Sequence, residues 1–229
     1  MLPGLTRFAA GKARDAFVKS LLHFDGADGF TGPFADSATP SRVWNGAGGA
    51  ALSTADKKFG PSSLLLTPGK YVATASHADF EFGAGDWTIE YWQHYISGAA
   101  DGQSIMCRDS AVTFTPWLIG YNQSGIQAFY ATSNGSSWDL AGGIKIGTAD
   151  FNPHHMVVQR KAGTFTTYDN GVLQATLASS GAAHLASSGN LTLGLWNGTG
   201  TYTYLDEVRI SKGIARYSGN FTPPTTPYP

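Results

Sequence analysis

The residues able to do chemistry in this chain are few. Only three are glutamates: Glu81, Glu90 and Glu207. Hydrolysis of a glycosidic bond needs two carboxyl groups about 5–5.5 Å apart for retention, or roughly 6.5–9.5 Å apart for inversion. Asp79 and Glu81, in His77-Ala78-Asp79-Phe80-Glu81, are the nearest pattern, because strand alternation sets them on one face. His77 stands where a third carboxylate would be expected, and the stretch is rich in turn residues, so the reading favours a structural role and no enzyme. The single cysteine, Cys107, has no nucleophile motif around it, and no Gly-x-Ser-x-Gly elbow occurs. One cysteine also excludes an intramolecular disulfide and a zinc-cysteine cluster. The adjacent His154 and His155 point to opposite faces of a strand and do not chelate one metal.

The remaining chemistry is recognition. A sugar site wants an aromatic platform for the apolar ring face and amides or carboxylates for the hydroxyls. Two polar loops carry such groups. One holds Trp138 and Asp139 in Asn134-Gly135-Ser136-Ser137-Trp138-Asp139, and the other holds Trp196 and Asn197 in Trp196-Asn197-Gly198-Thr199. Asp109 and Asn122 end neighbouring predicted strands and complete the candidate ligand-binding set. Each Trp also has a plain core reading.

The elements that position these groups are strands. Glycine accounts for 29 of 229 residues, aromatics for 13% and charged residues for only 14%, well below the usual ~25%. After Ser20 the hydrophobic pattern has period two, broken by turn signals. It predicts strands at 20–25, 50–54, 62–67, 70–75, 86–96, 103–108, 115–121, 125–132, 144–148, 155–161, 164–169, 172–177, 190–196 and 202–210. In 86–96, Trp87, Ile89, Tyr91 and Tyr95 share one face; Thr88, Glu90, Trp92, His94 and Ile96 share the other. Apolar groups on both faces mark a central strand. Asn170-Gly171 supplies the positive φ angles of a type I′ hairpin. So many strands without an intervening helix predict an all-β, two-sheet antiparallel jelly-roll sandwich.

Charge is uneven. Residues 1–20 hold Arg7, Lys12, Arg14 and Lys19 against Asp15, a net +3, and the other 209 residues carry −4. The spacing of Leu5, Phe8, Ala9, Ala16 and Phe17 predicts a short amphipathic helix near 5–19. Residues 1–19 thus read as a basic arm, with Arg7, Phe8, Lys12, Arg14 and Phe17 as attachment residues. The sandwich occupies 20–226, and 227–229 form a Pro-rich tail. A net charge of −1 lacks the footprint of a nucleic-acid binder. No stretch reaches the ~20 apolar residues of a membrane helix, and no secretory signal is read at the N-terminus.

Six segments in order carry a resemblance. They are Leu21-Leu22-His23-Phe24-Asp25-Gly26, Lys58-Phe59-Gly60-Pro61-Ser62-Ser63-Leu64, Asp79 through Trp92, His154-His155-Met156-Val157-Val158, Tyr168-Asp169-Asn170-Gly171, and Leu205 through Lys212. Together they resemble the laminin-G-like jelly roll of the concanavalin A-like lectin/glucanase superfamily. The ending, Gly213 through Pro224, resembles the version common in bacteriophage and prophage structural proteins. Asn152-Pro153 departs from the family, which usually has Trp before the His pair. The resemblance implies a structural calcium joining the first strand to the last, with Asp25 and Asp206 as ligands and Asp28 assisting. It also implies a virion-surface protein, a fibre, spike or decoration, that binds a host-cell glycan. Its arm would dock on other virion proteins, and it would form a homo-oligomer or multicopy array. A ligand-free decoration protein is the alternative, and a polysaccharide hydrolase the third reading.

Overall fold

The computed structural model describes residues 15–97, 103–122, 124–179 and 181–229. Among these, fifteen strands form two antiparallel sheets. In chain order they are β1 Val18–Leu22, β2 Asn45–Ala47, β3 Ala51–Ser53, β4 Ser63–Leu66, β5 Tyr71–Thr74, β6 Trp87–Tyr95, β7 Ser104–Arg108, β8 Trp117–Tyr121, β9 Ile126–Ala131, β10 Ala141–Thr148, β11 Pro153–Lys161, β12 Thr164–Asp169, β13 Val172–Ala178, β14 Leu191–Leu193 and β15 Thr203–Lys212. The eight-stranded sheet runs β13-β12-β11-β6-β15-β4-β3 with β1 also on β15. The seven-stranded sheet runs β10-β9-β8-β7-β14-β5-β2. The two-sheet jelly-roll sandwich expected from the sequence is the observed fold.

Alternation explains the layers. β6 is central, between β11 and β15. Its Trp87, Ile89, Tyr91 and Tyr95 enter the core between the sheets. Its Thr88, Glu90 and Trp92 are also buried, on the opposite face. That face is covered by the chain after β15. Tyr217 donates to Glu90 Oε2 at 2.6 Å, and Tyr228 donates to the same oxygen at 3.0 Å. The final residues are therefore tucked against the sheet, with Tyr228 only 7% exposed. Asn170 and Gly171 take φ of 48° and 77°, as a type I′ turn requires. Pro153 opens β11 opposite His94, a first-residue position where its missing N–H is tolerated.

Two expectations change. The helix near 5–19 is not present in its described part: residues 15–18 form a turn closed by Val18 N–H to Asp15 O at 3.1 Å, and β1 begins at Val18. Pairing of β1 with β15 overrides the local helical spacing. β2 was not read from sequence; Asn45-Gly46-Ala47 has too little apolar content to signal a strand, and its pairing with β5 creates it.

A polar chain ties the sheets together across the core. Tyr91 donates to Gln127 Oε1 at 2.9 Å, Gln127 Nε2 donates to Gln93 Oε1 at 2.6 Å, and Gln93 Nε2 donates to Tyr121 Oη at 2.8 Å. Tyr91 and Gln93 lie in one sheet and Gln127 and Tyr121 in the other. Gln127→Leu strands the Tyr91 hydroxyl and the Gln93 carbonyl, so a loss of about 2–4 kcal/mol is expected. Urea unfolding measures it, and an unchanged midpoint would contradict the assignment.

Candidate functional site

The outer face of the seven-stranded sheet carries an aromatic groove of about 150 Å³. Its floor is Leu118 and Gly120 of β8, and Tyr130 of β9 rises from it beside Trp138 and Trp196. The ring centroids of Trp138 and Trp196 are 6.5 Å apart, and those of Tyr130 and Trp138 are 5.4 Å apart. Phe114 backs Trp138 edge-on at 5.3 Å. Gly143 makes room for Tyr130: a Cβ there would sit 2.9 Å from the ring, and its φ of 98° suits only glycine.

The two loops hold these rings in place. In residues 132–140, Asn134 Oδ1 accepts from the backbone N–H of Ser136 at 2.8 Å and of Ser137 at 3.1 Å. Asp139 Oδ1 accepts from Ser133 N–H and Thr132 Oγ1, both at 2.9 Å. Burial opposes ionisation of Asp139, but the Ser133 bonds outweigh it and the pKa falls. In the other loop, Trp196 and Thr199 exchange backbone hydrogen bonds at 3.2 and 2.8 Å. Trp196 Nε1 donates to Val112 O at 3.0 Å, which fixes the indole. Both rings are half-buried, with one part against protein and one toward solvent.

The structure thus brings Trp138 and Trp196 together from loops far apart in sequence. Three of the polar candidates, Asp139, Asn122 and Asp109, accept hydrogen bonds from protein groups. Besides Asp139, Asn122 Oδ1 accepts from Ser124 N–H at 3.0 Å and Ile126 N–H at 3.1 Å, shaping the β8–β9 turn. Asp109 accepts from the Ser187 hydroxyl in a short contact, and its φ of 68° places it in a turn. Asn197 is exposed with φ of 47°, and its backbone N–H donates to Ser110 O at 3.0 Å. Sequence reasoning missed Tyr130, Leu118 and Gln103, which also lines the groove. The available signal was Tyr130, a large ring on the outward side of an alternating strand.

The three aspartates expected to hold calcium lie apart in role. Asp28 Oδ1 accepts from Thr54 N–H at 2.9 Å and Thr54 Oγ1 at 3.2 Å. Asp206 is 3% exposed; its Oδ2 accepts from Lys58 N–H at 2.8 Å and Phe59 N–H at 3.0 Å. Burial pushes the Asp206 carboxyl up to about 7 against those bonds, and its Oδ1 is buried without a partner. The Asp25 carboxylate packs over Gly60, where a Cβ would overlap its Oδ1. Lys58-Phe59-Gly60 therefore serves both aspartates. Among the described residues no group of three His, Cys, Asp or Glu is placed to hold a metal ion. Arg7, Phe8, Lys12 and Arg14 lie outside the described residues; Phe17 is 44% exposed.

The candidate catalytic acids are each held by an arginine. Arg42 Nη2 pairs with Asp79 Oδ2, and the fully buried Arg108 pairs with Glu81 Oε1. Cys107 is buried, and desolvation raises its thiol pKa far above the usual value. His154 lies between Asp169 at 2.5 Å and Asp150 at 2.7 Å, which raise its pKa to about 9.

Sheet order, core layers and turn chemistry define a two-sheet jelly-roll sandwich of the lectin-like type. The chain belongs to the concanavalin A-like lectin/glucanases superfamily, whose Laminin_G_3 profile matches residues 67–215. Several solved structures share the fold. The binding domain of Paraclostridial Mosquitocidal Protein 1 aligns over 86% of this chain and 49% of its own, at 11% identity and TM-score 0.64. A botulinum neurotoxin type C structure, described as dependent on two ganglioside molecules for entering cells, aligns over 86% and 48% at 15% identity and TM-score 0.62. Domain 4 of AbnA, an extracellular arabinanase from Geobacillus stearothermophilus, in complex with arabinotriose, aligns over 86% and 92% at 15% identity and TM-score 0.61. The chain spans about half the length of the two toxin chains. No curated protein sequence matches it.

Proposed function

We propose that this chain is a non-catalytic carbohydrate-binding module that stacks a glycan on the groove formed by Tyr130, Trp138 and Trp196. The convergence of Trp138 and Trp196 on one sheet face carries this reading. Indole and phenol faces suit the apolar side of a sugar ring, and rings fixed beforehand lose little entropy on binding. The arabinotriose-bound and ganglioside-dependent relatives of the same fold support it. Asp79 and Glu81, each committed to an arginine, support a binding role over hydrolysis.

The finer reading follows the resemblance of residues 213–224 to bacteriophage structural proteins. The module stands on a virion surface, is attached through the basic arm, and is present in many copies or as a homo-oligomer. Immunogold labelling of particles from a producing host is expected to mark the virion surface; unlabelled particles would overturn that placement.

A glycan array of the full chain, in calcium and again in chelator, tests the binding reading. Saturable binding to one polysaccharide class is expected. Trp138→Ala is expected to weaken it by about 30-fold or more, the effect of removing an anchoring aromatic. Trp196→Ala acts similarly and also frees Val112. Loss of binding in chelator would support the calcium reading of Asp25 and Asp206, which unchanged binding would remove. No binding by a folded, monodisperse sample would replace the glycan reading with a purely structural role.

A further inference from the structure

The aromatic groove has a charge character set by the residues that build it. None of the described residues lining it is charged, and Tyr121 turns its hydroxyl into the core, toward Gln93. Residues 71–107 supply Gln103, 109–144 supply Leu118, Tyr130 and Trp138, and 162–208 supply Trp196; none of these stretches contains Lys or Arg. Residues 98–102 and Gln123, outside the described set, therefore add no cation. Arg108, between two of the stretches, is fully buried and pairs with Glu81. Lys70 and Lys145 flank them but are outside the lining, and Lys161 and Arg209 belong to the other sheet. The charged residues within 109–144 are two carboxylates, Asp109 and Asp139. Both Asp139 oxygens already accept bonds from Thr132 and Ser133. Those of Asp109 accept from Ala111 N–H and the Ser187 hydroxyl.

Given the glycan reading of this groove, on which the inference rests, we propose that it takes an uncharged sugar residue, one ring at a time. A residue carrying a carboxylate, sulfate or phosphate is rejected. Indole and phenol rings present negative faces, which attract the C–H side of a neutral sugar and repel an anion. An acidic group on the stacked residue would also leave water with no cation to receive it, and an unpaired charge is costly to desolvate. A protonated amino sugar suits the ring faces, but no carboxylate stands among the described lining residues to pair with it. The size agrees, because about 150 Å³ is the volume of a cavity that holds one six-membered ring.

Biolayer interferometry of the full chain on immobilised polysaccharides tests this. The neutral probes are arabinan, galactan, mannan and β-glucan; the charged ones are polygalacturonate, hyaluronate, dextran sulfate and chitosan. Saturable binding to a neutral probe is expected, with a Kd that stays within about twofold between roughly 50 and 500 mM salt, since no fixed charge is there to be screened. Carboxymethylation of that same polysaccharide keeps its backbone and adds charge, and is expected to weaken binding by about tenfold or more. Trp138→Ala is expected to remove the neutral binding, which places it in the groove. Tighter binding to a charged probe, lost in Trp138→Ala and falling with salt, would overturn the charge preference while leaving the groove a glycan site. Equal binding of the native and carboxymethylated forms would overturn it in the same way. No saturable binding to any probe would overturn the glycan reading of the groove and this inference with it.

Discussion

Replacing Glu90 with alanine is expected to cost about 3–5 kcal/mol. For a domain of this length that lowers Tm by roughly 6–20 °C. Glu90 is fully buried on the outer face of the eight-stranded sheet. Burial alone would raise its pKa. Instead the His155 imidazole, the Arg209 guanidinium and the Tyr217 hydroxyl hold it down at about 2. Arg209 donates to Oε1 through Nε at 2.9 Å and Nη2 at 2.8 Å. Tyr228 donates to Oε2 while accepting from His155 Nε2 at 2.8 Å, and its ring lies under the Arg209 guanidinium at 3.7 Å. Alanine leaves Arg209 and two tyrosine hydroxyls without their shared acceptor. It also loosens the segment that Tyr217 and Tyr228 pin. Calorimetry and carboxypeptidase digestion are expected to report both a lower Tm and faster trimming of the C-terminus. A loss under 1 kcal/mol would show that water replaces the carboxylate freely. The sign for the native protein follows: a carboxyl with a lowered folded pKa contributes stability above its unfolded value near 4.5, and that stability is lost as pH falls toward 2.

The second large effect is acid sensitivity through His184. Its ring is 6% exposed, boxed by Phe82, Trp87, Phe129 and Phe165 at centroid distances of 5.6–6.4 Å. Burial pushes its pKa from 6.5 to about 4, against the hydrogen bond to Pro116 O. The unfolded chain therefore binds the extra proton first, and stability falls as pH drops from 6.5 to 4, by about 3 kcal/mol in all. Asp206, with its carboxyl raised to about 7, acts oppositely over pH 4–7, because there the folded state holds the proton. Comparing urea midpoints of the wild type and His184→Phe isolates the imidazole. The difference in slope between pH 7 and 4 is expected to match a single proton, and identical slopes would show that His184 titrates normally. On the alkaline side, stability from His154 is lost as pH rises from 6.5 through about 9.

The sequence by itself determined the sandwich, because period-two alternation is local and survives in any register. The two faces of β6, the Asn170-Gly171 turn and the extent of β12 all follow from residues adjacent in the chain. It also pointed to Trp138 and Trp196 as aromatic rings on polar loops. Only the tertiary structure decided that these rings meet, since residues 58 apart come together through the order of β7, β8, β9 and β14 in one sheet. The same holds for the polar partners. Asp139 and Asn122 read as sugar ligands by type, but short side chains beside free backbone N–H groups bond locally first. The Glu90 network was invisible for a further reason. Its members come from β6, β11, β15 and the final residues, and nothing in their spacing states that a proline-rich end folds back to bury a carboxylate.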